Sequence, residues 1–144
     1  MKNIVLIGMP GSGKSTTGVL LAKSMKMPFI DTDLLIQEKT GQFLHEIIQE
    51  KGTKAFLDIE EEVILNLEAT GSIIATGGSA VLRQKAMEHL KENGLVVYIE
   101  LPVQEIEKRI RNIRTRGIAM EKQQTLSEIY VSRVPLYEEY ADIT

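Results

Sequence analysis

Near the start of the chain, Ile4-Val5-Leu6-Ile7 is an unbroken apolar run, mostly β-branched. A run this short with no polar face suits a strand covered on both sides. A glycine-rich turn follows, and residues 15–26 then read as a helix. A second short strand is predicted over residues 28–31, ending in Asp31-Thr32-Asp33. Helical stretches follow at about 34–39, 43–51 and 53–69, separated by Gly41 and Gly52. Residues 73–76 read as a third strand closed by Gly77-Gly78, and residues 80–92 as a helix ended by Asn93-Gly94. Residues 95–101 form a fourth predicted strand. Pro102 then opens a helix at a position where its missing N–H is tolerated. Two further helical pieces are expected at about 125–132 and 135–141.

Strands alternating with helices imply an α/β fold of three layers, a central parallel sheet with helices on both faces. Ligands of such sheets bind beyond the carboxyl ends of the strands. Here those ends carry a glycine-rich loop, a pair of aspartates and a double glycine, so three suggestive motifs converge on one edge. No repeat or linker divides the chain, and residues 1–144 are expected to form one domain.

Composition changes this picture little. The net charge of −3 gives no reason to expect nucleic acid or an anionic membrane as partner. With no cysteine there is neither a disulfide framework nor a thiolate metal site. The first apolar run is too short for a signal peptide or a membrane span, so a cytoplasmic location is expected. His45 and His89 have no neighbouring ligand residues and read as surface positions, and the scattered methionines read as core filler.

The chemistry starts at Gly8-Met9-Pro10-Gly11-Ser12-Gly13-Lys14-Ser15. A pyrophosphate needs many N–H donors close to its oxygens, and glycine lets the backbone approach that closely. Gly8, Gly11 and Gly13 provide such a loop, and the following helix points its positive dipole end at the anion. Lys14 would reach the β- and γ-phosphates of ATP, and Ser15 would give a hydroxyl to Mg2+. Thr16 and Thr17 lie within reach of phosphates, although threonines in a first helical turn are ordinary. Asp31 and Asp33, two apart at a strand end, can both face one cleft. One could serve a magnesium-bound water and the other accept a proton from an attacking hydroxyl. The alternative, a helix cap ahead of Leu34-Leu35-Ile36, stays open.

Together these residues resemble the shikimate kinase family of P-loop proteins. The similarity runs through the loop, Asp31-Thr32-Asp33, Gly77-Gly78, Arg109, Arg116 and Ser132-Arg133-Val134-Pro135-Leu136-Tyr137. The resemblance implies ATP-dependent phosphorylation of the 3-hydroxyl of shikimate by a monomer, with a helical substrate-binding region at about 34–69 and a lid at about 110–124. By matching position, Asp31 would help hold Mg2+ and Asp33 would contact the substrate hydroxyls and act as base. Gly77 and Gly78 would offer backbone groups to the substrate, with Ser12 and Thr16 among the nucleotide contacts. Arg133 would bind the substrate carboxylate. Arg116 matches a lid arginine over the phosphates and Arg109 one lining the adenine side. Arg111 and Arg114 read as solvated. Tyr137 and Tyr140 read as packing.

The chain departs from the family pattern at the substrate. In the stretch Gly52-Thr53-Lys54-Ala55-Phe56-Leu57-Asp58-Ile59-Glu60, Phe56 and Glu60 are kept, but Leu57 replaces an arginine that pairs with the substrate carboxylate. Losing a charge-assisted bond there costs roughly 1.5–3 kcal/mol. Ser79 replaces the third glycine of a triplet, and the lid reads Arg116-Gly117-Ile118-Ala119. Four strands are visible; a fifth, which family members carry, only begins at Ile143-Thr144. The leading expectation is a shikimate kinase. A kinase of another small hydroxylated metabolite is the second. A catalytically inactive ATP-binding regulatory protein is the third.

Overall fold

The computed structural model describes residues 2–110 and 125–144. Its sheet has four parallel strands, β1 (Asn3–Ile7), β2 (Phe29–Asp31), β3 (Ile73–Ala75) and β4 (Gly94–Tyr98), in the spatial order β2-β3-β1-β4. The chain's most apolar run is thus a central strand. Val5, Leu6 and Ile7 are completely buried because both faces of β1 are covered. Alternation divides them: Val5 and Ile7 face one core, Leu6 the other.

On the Leu6 face lies helix α1 (Lys14–Met25), which contributes Ala22. Its Gly18 permits close approach, since a Cβ there would fall 2.5 Å from the Phe29 ring. On the Val5 and Ile7 face the core is completed by α5 (Gln84–Glu92), α6 (Val103–Ile110) and α7 (Leu126–Tyr140), through Ala86, Met87, Leu90, Ile106, Ile129 and Tyr137. Helices α2 (Thr32–Thr40), α3 (Leu44–Lys51) and α4 (Thr53–Leu65) close around a smaller core of Ile36, Leu44, Ile47, Phe56 and Val63. This is the helical region expected at about 34–69.

Several boundaries differ from the sequence expectation. Helix α4 stops at Leu65, where Leu67 N–H turns back to the Ile64 carbonyl. The expected helix over 80–92 is divided into a 3-10 turn at Ala80–Leu82 and α5. Strand β4 ends at Tyr98 rather than residue 101. The tail is one helix, α7, running through Pro135. Pro135 and Val131, whose carbonyl loses its donor there, both lie on the exposed side, where water can replace the missing bond.

Ile143 pairs in parallel with Val97 of β4, and the Tyr98 N–H donates to the Ile143 carbonyl at 2.8 Å. The expected start of a further strand therefore does lie along the β4 edge. The stretch 111–124, which holds Arg111, Arg114, Arg116 and nearly all of the expected lid, lies outside the described residues. Among the described residues, no helix is long and apolar enough to cross a membrane.

Candidate functional site

The loop between β1 and α1 turns through left-handed backbone at Gly11 (φ 80°) and Gly13 (φ 92°), where glycine carries no steric penalty. Gly8 is packed so closely that a Cβ would lie 2.8 Å from the Ile99 carbonyl oxygen, just beyond β4. Lys14 is almost fully buried. Its ammonium donates to the Gly8 and Met9 carbonyls at 2.8 and 2.7 Å and to Ser12 Oγ at 3.4 Å. These bonds hold the cation inside the loop, where an anion would sit. Thr16 is exposed on α1. Arg109, from α6, places Nη1 3.3 Å from where a Cβ on Gly13 would stand, so its guanidinium lies over the phosphate loop. Its Nε also meets Glu105 Oε1 at 3.3 Å.

Asp31 is the helix cap that the sequence left open, and its second carboxylate oxygen reaches the phosphate loop. Its Oδ1 accepts the Asp33 N–H at 2.9 Å, capping α2, while its Oδ2 accepts the Ser15 hydroxyl at 2.8 Å. One carboxylate thus ties the phosphate loop to the helix bearing the second aspartate. Asp33 lies in the first turn of α2 rather than in extended chain. The strand-alternation argument therefore does not apply, and helix geometry aims Asp33 instead. Ser15 and Asp31 form a set of hard oxygen donors suited to Mg2+, an ion that keeps several waters and takes few protein ligands.

Gly77-Gly78-Ser79 follows β3 and closes the other wall. A Cβ on Gly77 would fall 2.7 Å from Asp33 Oδ1 and 2.7 Å from Glu60 Oε2. Both carboxyl groups therefore converge on one glycine. A Cβ on Gly78 would strike the Pro10 ring at 2.5 Å, so the turn also packs against the phosphate loop. Ser79 Oγ donates to Glu60 Oε1 at 2.8 Å. Glu60 is 1% exposed, and burial pushes its carboxyl up to about 7. The Ser79 hydrogen bond opposes that rise, the nearby Asp33 charge adds to it, and Arg133 and Lys14 oppose it.

Arg133 is buried on α7, and its charge lies close enough to the Tyr137 hydroxyl, one turn later, to oppose the rise that burial causes there. That hydroxyl donates to the Gly78 carbonyl at 2.6 Å. The structure thus brings together Lys14, Ser15, Asp31, Asp33, Gly77, Gly78, Ser79, Arg109 and Arg133. Phe56 is placed elsewhere in character: at 2% exposed it is a core residue of α2–α4, with Leu57 partly buried against the same cluster.

The sequence marked Glu60 only as a position kept from the family pattern and read Tyr137 as packing. A signal for the first existed. Phe56, Glu60, Val63 and Ile64 are the buried residues of α4 and lie at i, i+4, i+7 and i+8, so Glu60 occupies a core position of an amphipathic pattern. The rest of the acidic run is solvated and ion-paired, Asp58 with Arg83 at 2.8 Å and Glu62 with Lys39 at 2.7 Å. A groove of about 330 Å³ near Asn3, Leu67, His89 and Asn93 lies at the amino end of the sheet, away from all these groups.

A family profile described as shikimate kinase matches residues 10–144. The shikimate kinase of Paracidovorax citrulli is 40% identical over 144 residues, 96% of this chain and 79% of that protein. That of Pseudomonas syringae pv. tomato is 38% identical over 146 residues, 99% of this chain and 85% of that protein. Among solved structures, shikimate kinase from Acinetobacter baumannii in complex with shikimate superposes with a TM-score of 0.92 at 33% identity, covering 100% of this chain and 82% of that one. The Aquifex aeolicus shikimate kinase gives 0.82 at 32% identity, covering 98% and 84%.

Proposed function

Because the chain belongs to the shikimate kinase family, we propose that it transfers the γ-phosphoryl group of ATP to the 3-hydroxyl of shikimate. The observation that carries this reading is the double engagement of Asp31, which joins Ser15 of the phosphate loop to the helix start bearing Asp33. Donor and acceptor sites are thereby fixed relative to each other, and positioning is the largest share of what a phosphoryl-transfer enzyme supplies.

In this reading the loop N–H groups and the α1 dipole bind the phosphates, and Lys14 neutralises charge on the β- and γ-oxygens. Mg2+, held at Ser15 and through water at Asp31, would supply further charge neutralisation on those oxygens. Asp33 takes the proton of the acceptor hydroxyl as that oxygen bonds to the γ-phosphorus and ADP departs. Gly77 and Gly78 present backbone beside Asp33, and Arg133 provides the charge for a substrate carboxylate. Arg109 stands over the nucleotide side, and Arg116 is assigned the family's lid role over the phosphates.

A second reading, another small alcohol as acceptor, is favoured by two features. Leu57 packs against an apolar cluster where the family carries a charge, and the Ser79 hydroxyl is committed to Glu60. One experiment separates the two: ADP release from MgATP, with and without shikimate, in wild type and Asp33→Asn. Shikimate-dependent turnover that falls on the order of a hundredfold or more in the variant is expected. Turnover indifferent to shikimate, with MgATP binding intact, would reject shikimate as acceptor.

A further inference from the structure

The turn Gly77-Gly78-Ser79 must present backbone at a fixed angle, yet its two glycines have no side chains with which to lock it. The described structure holds the three residues from several elements at once. Gly77 is confined between the carboxyl groups of Asp33 on α2 and Glu60 on α4. Gly78 abuts Pro10 of the phosphate loop. Ser79 is tied to Glu60. The direction of the Gly78 carbonyl is set from α7, by the Tyr137 hydroxyl at 2.6 Å. Peptide groups are planar, so fixing that carbonyl also fixes the Ser79 N–H, which points the opposite way.

Tyr137 is built for this task. Its ring is fully buried and stacks on Tyr98 with centroids 5.1 Å apart and planes 25° from parallel. Its hydroxyl donates to Gly78, with the charge of Arg133, one helical turn earlier, nearby. Burial pushes its ionisation well above the ordinary tyrosine range, with Arg133 only partly opposing this, so the donor keeps its proton at physiological pH. The direction of the Gly78 peptide is therefore set by one oxygen atom on a distant helix.

We propose that Tyr137 is a positioning residue for the acceptor: through one hydroxyl it fixes the Gly78 carbonyl and, with it, the Ser79 N–H on the other side of the same peptide. The proposal rests on the acceptor site assigned under the proposed function, and it adds a determinant of that site on a helix remote in sequence.

Tyr137→Phe tests it, because the ring and its stacking on Tyr98 remain. Two measurements are made together: steady-state constants for shikimate and MgATP, and backbone amide hydrogen exchange across residues 76–80 and 130–137. The expected result is a shikimate KM raised roughly three- to tenfold, as for loss of a neutral hydrogen bond, with the MgATP KM within about twofold of wild type. Exchange at 77–80 should quicken while the thermal midpoint holds. Tyr98→Phe, which removes a hydroxyl beside the same stack, should behave as wild type in both measurements. An unchanged shikimate KM overturns the proposal, as does a parallel rise of both KM values with a lowered midpoint. If wild type fails to use shikimate, the proposed acceptor is wrong, and hydrogen exchange alone decides: faster exchange at 77–80 in Tyr137→Phe supports the positioning role, and unchanged exchange overturns it.

Discussion

Replacing Glu60 by Gln should make the protein more stable relative to wild type as pH rises, and the size of the effect follows from burial. Glu60 is 1% exposed, and its carboxyl titrates near 7 rather than at 4.5, chiefly because burial penalises the anion. Between those two pH values the folded protein holds a proton that the unfolded chain has already released. Wild-type stability therefore falls as pH rises through that window, and the full penalty is present above about 7. Below 4.5 the group is neutral in both states and contributes nothing of this kind. A rise of this size corresponds to about 3 kcal/mol. Gln reproduces the neutral form: its carbonyl can still accept from Ser79, and its amide faces the region of Asp33. Effects of the substitution that involve no change of protonation shift the difference by a constant, so its slope is the quantity that matters. Urea unfolding of both proteins from pH 4 to pH 9 measures it. A stability difference that stays flat across that range would refute the reasoning, and so would one of opposite slope.

Two further outcomes follow from close contacts. Gly77→Ala would drive a methyl group to within 2.7 Å of both Asp33 Oδ1 and Glu60 Oε2, so at least one carboxyl must move. A fall in kcat/KM of about a hundredfold, comparable to misplacing a reacting group by an ångström, is expected in the ADP-release assay; wild-type activity would show that the carboxyl pair tolerates displacement. Gly18→Ala meets the Phe29 ring at 2.5 Å, between α1 and β2. Overpacking of that kind costs roughly 1–3 kcal/mol, to be seen as a lower midpoint in thermal unfolding, and an unchanged midpoint would mean the ring simply turns aside.

Features whose causes are local were legible in the sequence. The buried central strand shows as an apolar run, because a strand covered on both faces has no polar side. The phosphate loop shows as glycines and a lysine at fixed spacing, because backbone that must wrap an anion needs left-handed turns at Gly11 and Gly13. The alternation of strand and helix gave the layered sheet and placed Asp31, Asp33, Gly77 and Gly78 at its carboxyl edge. Family resemblance added Arg133 and Arg109, which the fold then brought to the same edge.

What the chain's own pattern did not determine depends on partners far apart along it. Pro135 reads as a helix break, yet α7 runs through it, because tertiary packing of Ile129, Arg133 and Tyr137 outweighs one lost hydrogen bond on the exposed side. Asp31 could be read as a cap or as a metal-site residue; the approach of Ser15, sixteen positions earlier, allows both at once. Tyr137 could be read as packing, and only its meeting with Gly78, 59 positions away, gives its hydroxyl a task. Glu60 lies in a run of acids that looks solvated, and its protonation is decided by the dielectric of the site and by the charges of Asp33, Arg133 and Lys14. Periodicity and turn chemistry are written in neighbouring residues. Desolvation and the direction of a hydrogen bond exist only once distant segments have packed, and in this protein they govern how the acceptor side of the site is held.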